Sequence, residues 1–345
     1  MKIFKILLIF TAIAGVISIV LLYESGINTG LLFLSDKYMD AEDIAGFPEY
    51  MSIPQVFGEH RHRVSKKKLL KKLMEAAISR TQLKAGTRKK LKEIILKELN
   101  IGFLVEGLSE HRYEAEQVSE VAGGGYLERH VVLHDVYVGD VDLLLLVPDE
   151  LAGKNPVVIG LHGHKETGTD VRDSYGAGAL ANNGFIVALP GFRAMGFDLI
   201  EASVSWYLMQ NGFSLLGLRV YEVLLVIDYL KSLEYVDSVK IGLIGHSGGA
   251  AVGNLTVRIT SDIQAQVTDN YKKMLSTMVF YPQTEMVHCA TLPGLSYYAQ
   301  EISDSETLDF PVYKLPYGMY GYESNIIKFF KTALMQEGYA GKNIQ

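Results

Sequence analysis

The stretch of sequence that decides the fold is residues 239–252, which read VKIGLIGHSGGAAV. Its first six residues are a short, largely apolar run, typical of a strand that is buried on both faces. The run leads directly into the pattern G-x-S-x-G, and small residues suited to a helix follow. Gly245 and Gly249 permit a turn so tight that the hydroxyl of Ser247 projects at the carboxyl edge of the sheet. The stretch therefore predicts a strand, a sharp bend and a helix, with Ser247 as a candidate nucleophile.

Segments with the pattern of buried strands alternate with helical patterns along much of the remaining chain. Such alternation is typical of an α/β fold, in which a doubly wound, mostly parallel sheet has helices on both faces. We expect this body to span residues 126–340. Strands are predicted at residues 126–136, 141–148, 156–161, 185–189, 240–244, 275–280 and 311–315, and helices at 171–182, 218–233, 249–259 and 323–335.

A second glycine-containing turn follows the third predicted strand, where residues 161–168 read LHGHKETG. In a parallel sheet this turn lies at the same edge as Ser247. We expect the backbone N–H groups of His164 and Gly248 to form an oxyanion hole, in which the loss of one donor typically costs about 3 kcal/mol of barrier. A metal site is not favoured, because His162 and His164 have no third ligand nearby. No metal is therefore expected.

Several stretches of the chain, taken in order, resemble the α/β-hydrolase superfamily, and in particular its dienelactone-hydrolase and acetyl-xylan-esterase-like branch. They are LHGH at 161–164, ALANNGF at 179–185, LPGFRAMG at 189–196, IDYL at 227–230, the turn at Ser247, and HC at 288–289 followed by PGL at 293–295. The resemblance implies an α/β-hydrolase fold and the hydrolysis of a carboxylic ester, or a related acyl bond, through an acyl-Ser247 intermediate. A small-molecule ester is the implied substrate, and no cofactor is implied.

The base that would activate Ser247 is harder to assign. A serine hydroxyl needs an adjacent base, normally a histidine held by a carboxylate, and in this superfamily both residues follow the serine along the chain. Among the nine histidines only His288 follows Ser247, and the carboxyl-terminal loop at residues 315–322 contains none. The part after residue 309 also has room for one strand and one helix only, which is shorter than the superfamily pattern. We therefore expect His288 to act as the base, oriented by Glu285 or by Asp304.

Two alternatives to this assignment stay open at the level of sequence. One is that His162, His164 or His246 acts on Ser247 from the oxyanion side. The other is that no efficient base exists, in which case the chain is a catalytically impaired hydrolase-fold protein that binds a ligand or a partner. Arg193, which follows the fourth predicted strand, is a candidate contact for a carboxylate or sugar of the substrate, and the alternative is that it braces its own loop.

The amino-terminal end has the pattern of a membrane anchor. Residues 6–23 carry no charge, and at about 1.5 Å per residue a helix of this length crosses most of a hydrocarbon core of roughly 30 Å. Lys2 and Lys5 precede the apolar run and Glu24 follows it, which favours a cytoplasmic amino end. We predict an uncleaved transmembrane anchor at residues 1–25, with a cleaved signal peptide as the alternative. The chain is then a single-pass membrane protein whose hydrolase domain is extracytoplasmic.

A basic helical arm is expected between the anchor and the body, at residues 26–125. From Arg61 to Lys97 the chain has 14 Lys and Arg residues against 2 acidic residues, although the net charge of the whole chain is −6. One helix of the arm is predicted to begin after Thr87, as its N-cap, and to end near Leu99. The basic residues either form a solvated face or contact anionic lipid headgroups beside the anchor.

The composition excludes several classes of protein. A net charge of −6 argues against a partner that is a nucleic acid. A hydrophobic content of 48% against 21% charged residues excludes a disordered chain. The single cysteine, Cys289, excludes an internal disulfide framework and a zinc cluster built from cysteines.

Overall fold

The structure, a computed structural model, describes residues 60–65, 68–69, 71–72, 75, 82–110, 113–151, 153–194, 198–269, 293–316 and 319–336. The anchor predicted at 1–25 and the strand predicted at 275–280 lie outside these ranges. Within them, every helix is too short or too polar to cross a membrane.

The described part of the chain is built around an eight-stranded sheet with the strand order β1-β2-β3-β5-β4-β6-β7-β8. The first four strands in this order pair antiparallel, and the strands from β5 to β8 pair parallel. The mostly parallel sheet that the sequence predicts is therefore confirmed. The strands are β1 (Tyr113–Ala122), β2 (Tyr126–Asp135), β3 (Gly139–Pro148), β4 (Asn155–Leu161), β5 (Ile186–Pro190), β6 (Val236–Gly245), β7 (Ile263–Asp269) and β8 (Val312–Leu315).

Helices cover both faces of the sheet, as a doubly wound fold requires. They are α1 (Arg88–Leu99), α2 (Gly102–Gly107), α3 (Gly168–Ser174), α4 (Ala177–Ala181), α5 (Asp198–Gln210), α6 (Leu215–Ser232), α7 (Gly248–Ile259), α8 (Pro293–Ser296), α9 (Ala299–Ile302) and α10 (Glu323–Phe330), which continues as a π-helical turn at Lys331–Met335. Helices α1, α6 and α7 pack on one face, and α3, α4 and α10 pack on the other.

The central strands are apolar throughout because both of their faces are covered. All seven residues of β4 are buried. Its side chains alternate between the two apolar layers, so that Val158 belongs to one layer and Ile159 to the other. Two layers of burial of this kind explain why the sequence of such a strand shows no polar alternation. They also hold the carboxyl ends of β4 and β6 side by side, where Leu161 pairs with Gly245.

Three elements differ from the sequence-based prediction. Strand β7, Ile263–Asp269, was not predicted: its polar and apolar residues alternate, whereas a strand inside a parallel sheet is expected to be apolar throughout. Helix α5, Asp198–Gln210, lies where the sequence indicated only a long connection. The helix predicted at 171–182 is two shorter helices, α3 and α4, separated at Gly176, which has a left-handed φ of 76°.

The sheet also begins earlier than the sequence predicts. Strand β1, Tyr113–Ala122, falls inside the range 26–125 that was assigned to the helical arm, and it is exposed along almost all of its length. It is an edge strand that pairs antiparallel with β2. Arg129 of β2 reaches across to Glu120 of β1, with Nε 2.7 Å from the carboxylate. A strand with no buried face carries no apolar signal, which is why its sequence did not reveal it.

Helix α1 confirms the predicted helix of the basic arm. The hydroxyl of Thr87 accepts a hydrogen bond from the N–H of Lys90, so Thr87 is the N-cap. Leu91, Ile95 and Leu99 are buried and pack in the layer formed with α6 and α7. The helix therefore belongs to the core of the body, while its basic residues face outward.

Candidate active site

The predicted bend at Ser247 is present in the structure. Strand β6 ends at Gly245, helix α7 begins at Gly248, and Ser247 between them has φ 49° and ψ −112°. A positive φ with this ψ is disfavoured for a residue with a side chain and costs about 1–3 kcal/mol, so the surrounding packing must hold it. Ser247 is half-buried rather than covered. The bend thus places its hydroxyl at the carboxyl edge of the sheet, beside the N-terminus of α7.

The two glycines that flank the bend leave no room for a side chain. A β-carbon at Gly249 would lie 2.2 Å from the carbonyl oxygen of Leu161 and 2.7 Å from that of His162. A β-carbon at Gly245 would lie 2.7 Å from the carbonyl oxygen of Gly249. All of these neighbours are backbone atoms, which cannot turn aside as a side chain can. The sequence pattern G-x-S-x-G is therefore explained by backbone contact between β4, β6 and α7.

The turn after β4, residues 162–166, is called the oxyanion loop below, and it lies directly against the bend. A β-carbon at Gly163 would lie 2.7 Å from Oε2 of Glu166, 2.9 Å from Cδ2 of His246 and 3.2 Å from Cβ of Ser247. The N–H of His246 also donates to the carbonyl oxygen of Leu161, at 3.2 Å. The two turns that the sequence singled out are therefore neighbours.

His162 braces the oxyanion loop from inside the protein. Its Nε2 accepts a hydrogen bond from the N–H of Phe192 at 3.1 Å, and its Nδ1 donates to the carbonyl oxygen of Gly163 at 2.9 Å. Burial lowers the pKa of His162 to about 4, so the ring is neutral in the tautomer that these two bonds require. Because both ring nitrogens are engaged with backbone groups, His162 does not act on Ser247.

His246 lies between two carboxylates. Its Nδ1 is 2.7 Å from Oδ2 of Asp269, although the ring N–H is not aligned for a hydrogen bond, so the contact is an ion pair. Its Nε2 is 3.9 Å from Oε1 of Glu166. Burial lowers the pKa of His246, but Asp269 and then Glu166 outweigh it, so that the pKa is raised above its ordinary value. Both ring nitrogens face acidic groups, which favour the protonated form of the ring.

His164 is oriented by a buried acid on helix α5. Its Nδ1 is 3.1 Å from Oε2 of Glu201, whose side chain is 1% exposed. The other carboxylate oxygen of Glu201 is 2.9 Å from the guanidinium of Arg219, also 1% exposed. A carboxylate that holds Nδ1 of an imidazole is the arrangement by which acids orient a catalytic base. Sequence reasoning missed Glu201 because helix α5 was not predicted.

Arg193, the candidate substrate contact, is engaged with groups of the protein itself. Its Nε is paired with the carboxylate of Glu222, and its terminal nitrogen donates to the carbonyl oxygen of Val138 at 2.7 Å. The Arg193 side chain is 9% exposed. Arg219 in turn donates to the carbonyl oxygen of Arg193 at 2.8 Å. These contacts favour the alternative that Arg193 braces its own loop, and its contact with a substrate stays a prediction.

The predicted base and its acid lie outside the described residues. His288 and Glu285 both fall in the range 270–292, so their assignment stays a prediction. Asp304, the other proposed orienting acid, caps a short 3₁₀ turn and accepts a hydrogen bond from the N–H of Glu306 at 3.1 Å.

Two carboxylates beside the bend were not anticipated. Asp269 ends strand β7, and its Oδ2 accepts the N–H of Ser247 at 3.0 Å. Glu166 accepts the N–H of Gly163 at 2.6 Å. The signal for Asp269 was an acidic residue at the carboxyl end of a strand, which is where parallel sheets place their sites. That signal was lost because the strand itself was not recognised.

Comparison with known proteins finds relatives by structure but not by sequence. No protein-family model matches the sequence, and neither does any curated protein. A protein from Bacteroides fragilis NCTC 9343, provisionally described as an acetyl xylan esterase, superimposes with a TM-score of 0.57 at 13% identity, over 82% of this chain and 81% of that one. Acetyl xylan esterase 1 from Thermoanaerobacterium sp. JW/SL YS485 gives a TM-score of 0.49 at 13% identity, over 76% and 97%. The acetyl xylan esterase from Paenibacillus sp. R4 gives 0.48 at 12% identity, over 77% and 99%.

The superposition with a TM-score of 0.57 defines the class of fold. The described part of this chain has the α/β-hydrolase fold, as the resemblance in its sequence implied. At 13% identity the likeness carries the arrangement of strands and helices and no residue roles. What the site does must therefore be argued from its own geometry.

Proposed function

We propose that this chain is a serine hydrolase of the esterase type, which cleaves a small carboxylic ester through an acyl-Ser247 intermediate. The observation that carries the proposal is the strained bend at Ser247, with φ 49°, at the edge where β4 and β6 end side by side. Strain of this kind is kept at sites where it serves a function. The esterase descriptions of the structural neighbours agree with the proposal.

The proposed reaction uses the two adjoining turns. Ser247 Oγ attacks the ester carbonyl carbon while its proton passes to an imidazole base. The negative charge on the carbonyl oxygen is met by the backbone N–H groups of Gly248 and His164, together with the positive end of the α7 dipole. The alcohol leaves with the proton from the base, and water then attacks the acyl-serine by the same steps in reverse order. Ester, water, acid and alcohol balance, and the serine is regenerated.

Two histidines are in competition for the role of base. His288, oriented by Glu285, is the choice favoured by its position after Ser247 in the chain. His164 is favoured by its buried partner Glu201. Replacing each by alanine separates them, because the true base should be needed for the acylation of Ser247 and the other should not.

The location of the activity is also a proposal. The uncharged segment at residues 6–23 and the lysines before it support a single-pass anchor, with the hydrolase domain on the extracytoplasmic side. The exposed basic residues of the arm support contact with anionic lipid headgroups beside that anchor. An anchored protein stays with membranes in 1 M salt (about 3 Å of electrostatic reach) and leaves only with detergent. Release by salt alone would mean that the basic arm, rather than residues 1–25, holds it.

The test of function is labelling with a fluorophosphonate probe, which reacts covalently with an activated serine. The full-length protein in detergent should be labelled, Ser247→Ala should not, and Ser232→Ala, which changes an exposed serine on α6, should be labelled as the wild type is. His288→Ala and His164→Ala then identify the base. No labelling of folded wild type would favour the second candidate function, a catalytically impaired protein that binds a ligand. The observation in favour of that candidate is that the carboxyl-terminal loop at residues 315–322 contains no histidine.

A further inference from the structure

Glu166 connects three parts of the site through its two carboxylate oxygens. Oε2 accepts the N–H of Gly163 in the oxyanion loop, at 2.6 Å. Oε1 accepts the O–H of Tyr175, which follows helix α3. Hydrogen bonds to a carboxylate are short and roughly twice as strong as those between neutral groups. Burial, and then Glu166 itself, raises the pKa of Tyr175, so the phenol stays protonated and remains a donor.

A second carboxylate makes the matching contact on the other side of the site. Oδ2 of Asp269 accepts the N–H of Ser247 at 3.0 Å. The His246 ring lies between the two acids, 2.7 Å from Asp269 and 3.9 Å from Glu166. Against the effect of burial, both acids raise the pKa of His246 above its ordinary value. A continuous polar bridge therefore runs from the backbone of the oxyanion loop to the backbone of the nucleophile.

The bridge joins two segments that are far apart in sequence, and it adds side-chain contacts to the backbone contacts that β4 makes with the bend. Gly163 lies in the loop after β4, and Ser247 lies in the bend after β6. The gap between them admits no methyl group, since a β-carbon at Gly163 would touch Glu166, His246 and Ser247 at once. A small movement of the loop would therefore change the distance from Ser247 to the neighbouring N–H of His164.

We infer that Glu166 and His246 are positioning residues, which hold the oxyanion loop at a fixed distance from Ser247. The inference rests on the proposed function, because the separation matters to chemistry only if Ser247 attacks a carbonyl. An oxyanion exists only in the transition state and the intermediate, so a displaced loop lowers kcat and leaves the binding of the uncharged ester, and hence KM, nearly unchanged.

The experiment measures kcat and KM of the full-length protein in detergent with p-nitrophenyl acetate as the probe. Glu166→Ala should lower kcat by about 100-fold, the loss typical of one misplaced oxyanion donor, with KM within a few-fold of the wild type. Glu166→Gln keeps an oxygen that can accept the N–H of Gly163, so it should recover kcat to within about 10-fold of the wild type.

Asp170→Ala is the matched control for a merely structural effect. Asp170 lies four residues further along, where its carboxylate completes the capping box of helix α3 with Thr167. This variant should weaken the start of the helix and leave kcat unchanged. An equal loss of kcat in Asp170→Ala and Glu166→Ala would overturn the inference, because the loss would then follow from damage to the helix.

A readout that does not depend on activity completes the test. Hydrogen exchange of the amides in residues 160–168 should be faster in Glu166→Ala than in the wild type, because the N–H of Gly163 loses its acceptor. An active wild type with unchanged kcat and exchange in Glu166→Ala would overturn the inference alone. A wild type that hydrolyses the ester no faster than Ser247→Ala would overturn the proposed function, and the inference with it.

Discussion

A single methyl group at residue 249 should distort the site and lower the stability of the fold. In Gly249→Ala the new β-carbon would lie 2.2 Å from the carbonyl oxygen of Leu161, where ordinary contact begins at 3.4 Å. The oxygen is a backbone atom and the position of a β-carbon is fixed by the backbone, so neither can turn aside, and β4 and the start of α7 must separate. The separation also breaks the hydrogen bond in which the N–H of His246 donates to the carbonyl oxygen of Leu161, at 3.2 Å.

The size of the effect follows from three contributions. Overpacking typically costs about 1–3 kcal/mol, and the lost hydrogen bond costs about 1 kcal/mol. Replacing glycine by alanine in a helix returns at most about 1 kcal/mol. The free energy of unfolding should therefore fall by about 1–3 kcal/mol, which lowers Tm by roughly 3–10 °C in a domain of this size. Labelling of Ser247 by a fluorophosphonate should be lost as well.

Gly253→Ala is the matched control, one turn further along the same helix. A β-carbon there would lie 2.7 Å from Cδ2 of Leu243, a terminal methyl group that can rotate away. The helical gain and the side-chain adjustment should nearly cancel, so Tm should stay within about 3 °C of the wild type. The assay is thermal unfolding of the full-length protein in detergent. The reasoning fails if Gly249→Ala melts with the wild type, or if Gly253→Ala loses as much.

Three further changes test the core around the site. Lowering the pH from 6.5 to 4 should cost up to about 3 kcal/mol of stability through His162. The reason is that the ring binds a proton in the unfolded chain, whereas in the folded protein its pKa is about 4 and it stays neutral. The decline of Tm with acid should be shallower in His162→Gln, and an equal decline would contradict the assignment. Arg193→Met should lower the free energy of unfolding by about 3–5 kcal/mol, since it leaves Glu222 buried without its cation. Combining Arg193→Met with Glu222→Leu should restore most of the lost stability in the same assay. Ile95→Ala on α1 should lower the free energy of unfolding by about 2–5 kcal/mol, and Ile94→Ala, at a half-buried position, should lower it less. Equal and small losses in the two variants would mean that α1 is not part of the core.

The parts of the fold that the sequence predicted well are those governed by neighbours in the chain. The bend at Ser247 needs only a buried strand, two glycines and a helix in direct succession, and all of them lie within residues 239–252. The start of α1 at Thr87 is likewise a contact across three residues. Backbone sterics and local hydrogen bonds act over such short spans, so the local sequence is enough to predict the bend and the start of the helix.

The strands that were missed depend on partners elsewhere in the chain. Strand β1 has an exposed and charged sequence, and its pairing with β2 defines it. Strand β7 alternates polar and apolar residues although it lies inside the sheet, between β6 and β8. Gln266 is buried there because it donates to Asn254 of α7, at 3.0 Å. The burial of a polar side chain whose partner lies on another element cannot be read from the sequence around it.

From its sequence alone, this protein reveals an α/β body with a serine in a sharp bend between a strand and a helix, because a glycine pattern and buried periodicity are local properties. Only the folded chain shows that Arg193 neutralises Glu222, that Glu201 holds His164, and that Glu166 and Asp269 meet on either side of His246. Glu166 and Asp269 are separated by more than one hundred residues. Charges at that separation are brought together by the packing of the sheet, and no periodicity along the chain records which of them will meet.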